Sequence, residues 1–429
     1  MASNANIFAR NTFFNYLSKM IPAVVSFIFT LLISNYLGPE NYGLYNYLPA
    51  VIVGFATLLG GEFMSNLLWT FTARKKSKGF FKRIFYVNLL IIVALFVGIN
   101  IFGPQAMAML NTSHSELIPL ASIFLLLTPV NTLVITLFKG FSKFGKVLKA
   151  ATIENVITLA VSAVLIIPLQ MGLAGAFIAR FVAIAASLIF YYAAYKKLEF
   201  SNAKVNAGEV KKYCGWNIVA SLIRNLNIQI VTIASGLILN AVTLGIYYLG
   251  QKITAIAIAN ISNTISEIMW SKNSENYKNK ELIGKQTSIA IKVSLLITAA
   301  LCVPFLIISP LIINWLFPGY TELIFYVPAF LILLVVQAQA PLTSMFNSIN
   351  RTKNNARMYL VALALTFVLT LPLTYFFGLM GLLIANMITS EIIYLTIIYL
   401  LKKEDICVSV IPSWRDITLV KSILSRARK

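Results

Sequence analysis

Tyr195 to Tyr213 reads YKKLEFSNAKVNAGEVKKY, the longest polar interval between two apolar stretches, and the sequence begins to repeat itself across it. On one side Leu37 to Tyr45 reads LGPENYGLY, and on the other Leu239 to Tyr247 reads LNAVTLGIY, with Gly43 and Gly245 202 positions apart. GLAGAFIA from Gly172 returns as GLMGLLIA from Gly378, 206 positions later, and each is followed at the same distance by a Lys-Lys pair, Lys196-Lys197 and Lys402-Lys403. A period of nearly half the chain is far longer than that of a solenoid and predicts two equivalent halves. The expected division is an N-terminal lobe over 1–197, a cytoplasmic linker over 198–212, a C-terminal lobe over 213–403 and a tail over 404–429.

The composition sets the medium. With 59% hydrophobic and 11% charged residues and a mean hydropathy of +0.82, the chain lacks the polar surface of a soluble globule. Twelve apolar stretches of about 20 residues, each enough to cross ~30 Å of hydrocarbon as a helix, can be counted between polar breaks. The breaks LGPENYG at 37, FGPQ at 102, FPGY at 317 and FGLMG at 377 carry Gly or Pro to end one helix before the next. The Gly60-Gly61 pair predicts a bend in the second span. The fold class is thus an all-α polytopic membrane protein of twelve transmembrane helices, in two six-helix lobes around a central cavity.

The 35 Lys and Arg residues against 14 acids give a net charge of +21, and their positions decide what that charge means. Nearly all lie in the breaks at 74–83, 139–149, 196–212, 272–292 and 351–357 and after Leu401, while the intervening breaks hold none. This alternation is the positive-inside pattern, which places both termini and the basic loops in the cytoplasm and makes nucleic acid an unneeded partner. Six spans per lobe give parallel repeats, with a substrate site expected at their seam. The tail from Ile411 reads as a basic amphipathic helix on the inner leaflet. Three distant cysteines and one histidine, His114, leave no disulfide framework, no metal site and no cofactor site to expect. The N-terminus has no signal-peptide pattern. An enzyme is not expected, because the longest external break, Gly103 to Glu116, offers only His114 and Glu116.

Charges inside the spans are costly, about 2.5–3.5 kcal/mol each at the bilayer centre, so each must face a cavity, a partner or the interface. Lys19, Arg224 and Lys252 are the candidates for a basic cavity that holds an anionic group, because ammonium and guanidinium groups suit phosphate oxygens. Arg180 and Glu267 read instead as ion pairs or snorkelling side chains. Glu62, Glu154 and Glu391 fit either structural pairs or proton or cation sites. The seventh and eighth spans are dense in amides, which predicts a polar interior for both and makes Asn260 and Asn263 candidate substrate ligands beside a role as interhelical glue. The tenth span adds Gln337 and Gln339 to these polar positions, with Pro341 beside them. Tyr42, Tyr45, Tyr47, Trp69, Tyr191, Trp315 and Tyr320 read as interfacial belt anchors.

LGPENYGLY after the first span, two six-helix lobes and a basic loop after the second span together resemble the polysaccharide transporters of the multidrug/oligosaccharidyl-lipid/polysaccharide superfamily, the Wzx-type O-antigen flippases. The resemblance covers essentially the whole chain. It implies translocation of a polyprenyl-diphosphate-linked oligosaccharide from the cytoplasmic to the outer leaflet of the inner membrane by alternating access, with a cationic cavity that Lys19, Arg224 and Lys252 fit by type and depth. It also implies membrane lipids and polysaccharide-assembly proteins as partners, and Na+ or H+ as candidate coupling ions. A cation-coupled multidrug exporter of the same superfamily is the alternative.

Overall fold

A peptide group in hydrocarbon has no water to bond to, so a chain this apolar must satisfy its backbone within each segment. The computed structural model describes residues 2–59, 61–109, 118–255, 265, 266, 269, 273, 279–343, 345–348 and 352–410; their side chains are described from Ala23 onward, except at 62, 73, 74, 103, 104, 106–109, 212, 347, 348 and 352. Nearly all of these residues are helical, and among them only one isolated β-bridge occurs, Ser77 with Ser201. The helices are α1 (Ala2–Leu58), α2 (Gly61–Lys75), α3 (Lys78–Met109), α4 (Ile118–Gly140), α5 (Phe144–Ile166), α6 (Gly172–Tyr195), α7 (Ala207–Ile238), α8 (Ala241–Thr254), α9 (Lys280–Leu316), α10 (Leu323–Gln337), α11 (Met345–Ser348), α12 (Thr352–Leu365) and α13 (Leu371–Lys402).

Nine described segments are long and apolar enough to cross a bilayer, which makes this a multi-pass membrane protein. Two of them, Ala23–Leu58 and Lys353–Lys402, contain the non-helical residues Gly38 and Gly378. The eighth expected span, Thr243 to Trp270, lies largely outside the described residues beyond Ala255, and the tail from Ile411 lies outside them altogether. The expected bend in the second span is present, because α1 ends at Leu58 and α2 starts at Gly61. The expected break at FGPQ is not: α3 runs through it to Met109. Pro104 removes one N–H from the helical ladder without ending the helix, as do Pro129 in α4, Pro304 and Pro310 in α9 and Pro328 in α10.

Contacts divide the chain into two compact units, Met1–Tyr248 and Leu249–Lys429. In the first, α5 packs on α6 and α1, α4 on α3 and α2, and α7 on α1 and α2. In the second, α10 packs on α9 and α13, and α13 on α12.

The repeated sequence motifs do the same local work twice. Gly172 and Gly378 adopt φ of +53° and +56°, a left-handed backbone that costs other residues about 1–2 kcal/mol. Each ends one span and admits the next. After α6 the chain doubles back: Leu198 N–H bonds Tyr195 O (3.0 Å), Ser201 N–H bonds Lys76 O (2.9 Å), Lys78 N–H bonds Ser201 O (3.3 Å), and Ser201 Oγ donates to Lys75 O. Phe200 packs there against Phe81, Phe141 and Tyr195. After α13 a similar strap forms. Glu404 N–H bonds Leu401 O (2.9 Å), Ile406 is buried with Ile283 and Leu401, and Ser409 N–H bonds Ser288 Oγ (2.9 Å). Phe200 and Ile406 are 206 positions apart, Phe81 and Ile283 202. The linker is therefore pinned where it leaves α6, and Lys75 to Glu209 (2.8 Å) and Thr70 to Tyr213 (3.2 Å) pin it again at α7.

Within the first unit the two copies of the LGPENYG-type motif also meet. A Cβ on Gly43 would overlap Ala241 O and come 2.8 Å from Gly245 N, and one on Gly245 would overlap Pro39 O. Pro39 and Ala241 are 202 positions apart, like the two glycines, so the contact is reciprocal: each copy offers its glycine to the other's carbonyl.

Gly378→Ala is expected to destabilise the protein by about 1–2 kcal/mol, and Gly245→Val by about 1–3 kcal/mol or more through overpacking. Gly98→Ala, in mid-helix with nothing within 4 Å of its Cβ, should be neutral or gain about 0.5–1 kcal/mol. Thermal unfolding of the detergent-solubilised variants measures the order.

Candidate functional site

The amides of α7 turn toward α1. Asn225 (3% exposed) donates from Nδ2 to Thr57 O at 2.9 Å. The helix break after Leu58 leaves that carbonyl without a continuing turn of helix, and the amide takes the place of the missing N–H. One turn on, Gln229 lies against Gly54, where a Cβ would collide with its amide, and Tyr47 lies in the same way against Gly236. These side chains knit α7 to the second arm of α1, so the expected polar face of the seventh span is here a packed seam. Arg224, beside Asn225, is half-buried in the first unit. Lys252, in the last turn of α8, is half-buried in the second.

Lys19 lies on α1 and Glu62 on α2, but neither side chain is among those described; Asn260, Asn263 and Glu267 lie outside the described residues. Arg180 stacks its guanidinium on Phe124 at 5.1 Å, a cation–π contact worth about 0.5–2 kcal/mol, and sits near the stacked Tyr45–Phe177 pair. The sequence reading gave Arg180 an ion pair or a snorkelling pose; its partner is instead an aromatic face. The aromatic belt needs correction. Trp69 and Trp315 are exposed, but Tyr42, Tyr45, Tyr47, Tyr191 and Tyr320 are each at most 3% exposed. They fill helix interfaces, where a ring's large apolar area counts for more than its hydroxyl.

The acids are held by amides. Glu154 of α5 accepts from Asn131 Nδ2 of α4 at 3.1 Å, and Ser187 Oγ of α6 donates to Asn131 Oδ1 at 3.4 Å. Glu391 of α13 accepts from Gln339 Nε2 at 2.8 Å. Both carboxylates are half-buried, and among the described residues neither has a cationic partner. Asn131 and Ser187 were not singled out in the sequence. A signal was present, since Asn131 stands 208 positions before Gln339, two more than the largest offset of the repeat. Among the described residues no group of three or more His, Cys, Asp or Glu converges as metal ligands would.

Long apolar helices, a doubled arrangement of straps and glycines, and carboxylates held inside spans are features of secondary transporters. The solved structures bear out that fold. The chain is 16% identical to an inward-facing multidrug resistance MATE family transporter of the MOP superfamily, over 92% of this chain and 94% of that one, with a TM-score of 0.66. An outward-facing MATE transporter of the same superfamily matches equally, at 17% identity, 92% and 95% coverage and a TM-score of 0.66. A MOP superfamily transporter from Pyrococcus furiosus, described as having a binding pocket of reverse polarity that suggests a different function, matches at 16% identity, 93% and 95% coverage and a TM-score of 0.67. No curated protein matches the chain. Residues 8–269 match the family described as polysaccharide biosynthesis protein. Since that is more than half of the chain, it belongs to this family.

Asn225→Leu is expected to cost about 1–3 kcal/mol, because the Thr57 carbonyl loses its partner in a region without water. Thermal unfolding checks the loss, and hydrogen exchange at residues 57–63 should rise more than elsewhere.

Proposed function

We propose that the protein is a flippase that carries a polyprenyl-diphosphate-linked oligosaccharide, a surface-polysaccharide repeat unit, from the cytoplasmic to the outer leaflet of the cell's inner membrane. The observation that carries this reading is membership of the polysaccharide biosynthesis family over residues 8–269. It is supported by the MOP transporter fold and by basic residues placed inside spans. In this reading the chain crosses the bilayer twelve times, in lobes 1–197 and 213–403, with both termini in the cytoplasm. Lys19, Arg224 and Lys252, with Asn260 and Asn263, line a hydrated cavity and hold the diphosphate. The glycan passes through that cavity while the polyprenyl tail stays in lipid. The lobes alternate between access to the two leaflets, and no covalent step is involved. The reverse-polarity pocket stated for the Pyrococcus furiosus relative is a precedent within this fold for a pocket that departs from the multidrug type. Polysaccharide-assembly proteins are the expected partners.

A second reading, a cation-coupled multidrug exporter, is favoured by Glu154 and Glu391, which are carboxylates without a basic partner among the described residues, and by the MATE structures, which fit it equally.

The test is flipping of a fluorescent polyprenyl-diphosphate oligosaccharide in proteoliposomes. Wild type should flip it, and Arg224→Ala and Lys252→Ala should each slow it about tenfold or more while remaining folded, the magnitude of one lost charge-assisted hydrogen bond. Export of a lipophilic cation on an imposed ion gradient, without flipping, would replace this reading with the second.

A further inference from the structure

Arginine keeps its charge in any protein interior, because its pKa lies above about 12. Inside a membrane span that charge needs a counter-charge or a path to water. Arg180 stands eight residues into α6 from Gly172, about 12 Å along the helix. Its guanidinium stays near that depth, 5.1 Å from the ring of Phe124, which is six residues into α4 from Ile118, about 9 Å. No carboxylate answers it. Among the described residues Arg180 forms no ion pair, and Glu154 of the neighbouring α5 is held instead by Asn131.

A buried hydroxyl faces the same charge. Tyr45, seven residues past the kink at Gly38 and so about 10 Å into its arm of α1, is 2% exposed and turns its Oη toward the Arg180 guanidinium. That oxygen completes no hydrogen bond with it or with any other described group, which is uncommon for a buried hydroxyl. A guanidinium has no acceptor to offer the Tyr45 O–H. Two donors that face each other are completed by an acceptor, and only an anionic acceptor also cancels the charge. The surrounding rings limit its size. Phe177 stacks on Tyr45 at 5.5 Å, and Phe124 meets Phe177 edge-on at 5.5 Å and Phe181 at 4.4 Å, all four rings being buried. Ring edges carry the positive side of the aromatic quadrupole and suit an anion. A phosphate or a lipid headgroup would have to part these rings, whereas a single-atom anion would not.

We propose that Arg180 and Tyr45 bind one small inorganic anion, a chloride ion, within the first unit between α1, α4 and α6. Bound there, chloride cancels the charge of Arg180, accepts the hydrogen bond of the Tyr45 O–H, and ties three helices together through one centre. It is a resident ligand and not the transported molecule. The site therefore does not rest on the substrate proposed above and can be tested without one.

Purified protein in nanodiscs is titrated with sodium chloride in place of sodium gluconate at constant ionic strength and pH, and the thermal midpoint is followed. The variants are Arg180→Gln, Tyr45→Phe and, as an outside control, Glu154→Gln. The wild-type midpoint should rise with chloride. The half-maximal chloride concentration should increase about tenfold in Tyr45→Phe, the magnitude of one hydrogen bond to a charged group. The response should vanish in Arg180→Gln and persist in Glu154→Gln. Absence of a chloride response in wild type, a response that Arg180→Gln or Tyr45→Phe leaves unchanged, one that Glu154→Gln abolishes, or an equal rise with inorganic phosphate overturns the site. If Arg180→Gln does not fold, Tyr45→Phe alone decides.

Discussion

Hydrocarbon offers no hydrogen bonds, and each polar group that enters it must bring its own partner. Helices do this for the backbone, and short hydroxyl side chains do it locally. Thr30, Thr136, Thr158 and Thr374 each donate to the carbonyl four residues back, which hides the hydroxyl without involving a second helix. Amides and carboxylates reach past their own helix. Asn225, Asn131 and Gln339 therefore tie helices together, and they stand where the backbone is broken or a charge is buried. The same constraint that builds the helices thus selects the few side chains around which function can be argued.

Much of the architecture was legible because it depends on backbone rules. Glycines that need a left-handed φ, and lysines confined to alternate breaks, write their positions into the sequence. The equivalence of GLAGAFIA and GLMGLLIA carried through to a similar positive φ at Gly172 and Gly378. What was less legible depends on which way a side chain points. The tyrosines of the NYGLYNY stretch sit at a helix end, as belt residues would, but rotation of the helix turns them inward onto Phe29, Phe177 and Gly236. The partnership of Asn131 with Glu154 spans two helices and leaves no local pattern. The α3 helix passed through a Gly-Pro pair because in hydrocarbon the backbone keeps its helix around a single missing N–H, as α4, α9 and α10 do at their internal prolines.

Two kinds of grouping coexist in this chain. By sequence, α7 opens the second repeat; by contacts, it belongs with α1 and α2. The paired strap after α6 and the bonds from Lys75 and Thr70 to Glu209 and Tyr213 explain how: the polypeptide is fastened at both ends of the interval between the repeats. The polar linker between the repeats is bonded backbone to backbone near Ser201.

The reciprocal approach of Gly43 and Gly245 carries a historical implication. Two copies of one segment that exchange identical contacts across a local twofold axis are what two separate identical chains would make. The arrangement is that of a dimer whose subunits became joined end to end. Once joined, the copies no longer had to change together, and one could lose or move a group that the other kept. The carboxylate held by the fourth-helix amide shows that freedom. It comes from the adjacent helix in one copy and from the last helix in the other, so the two copies hold their carboxylates from different neighbours.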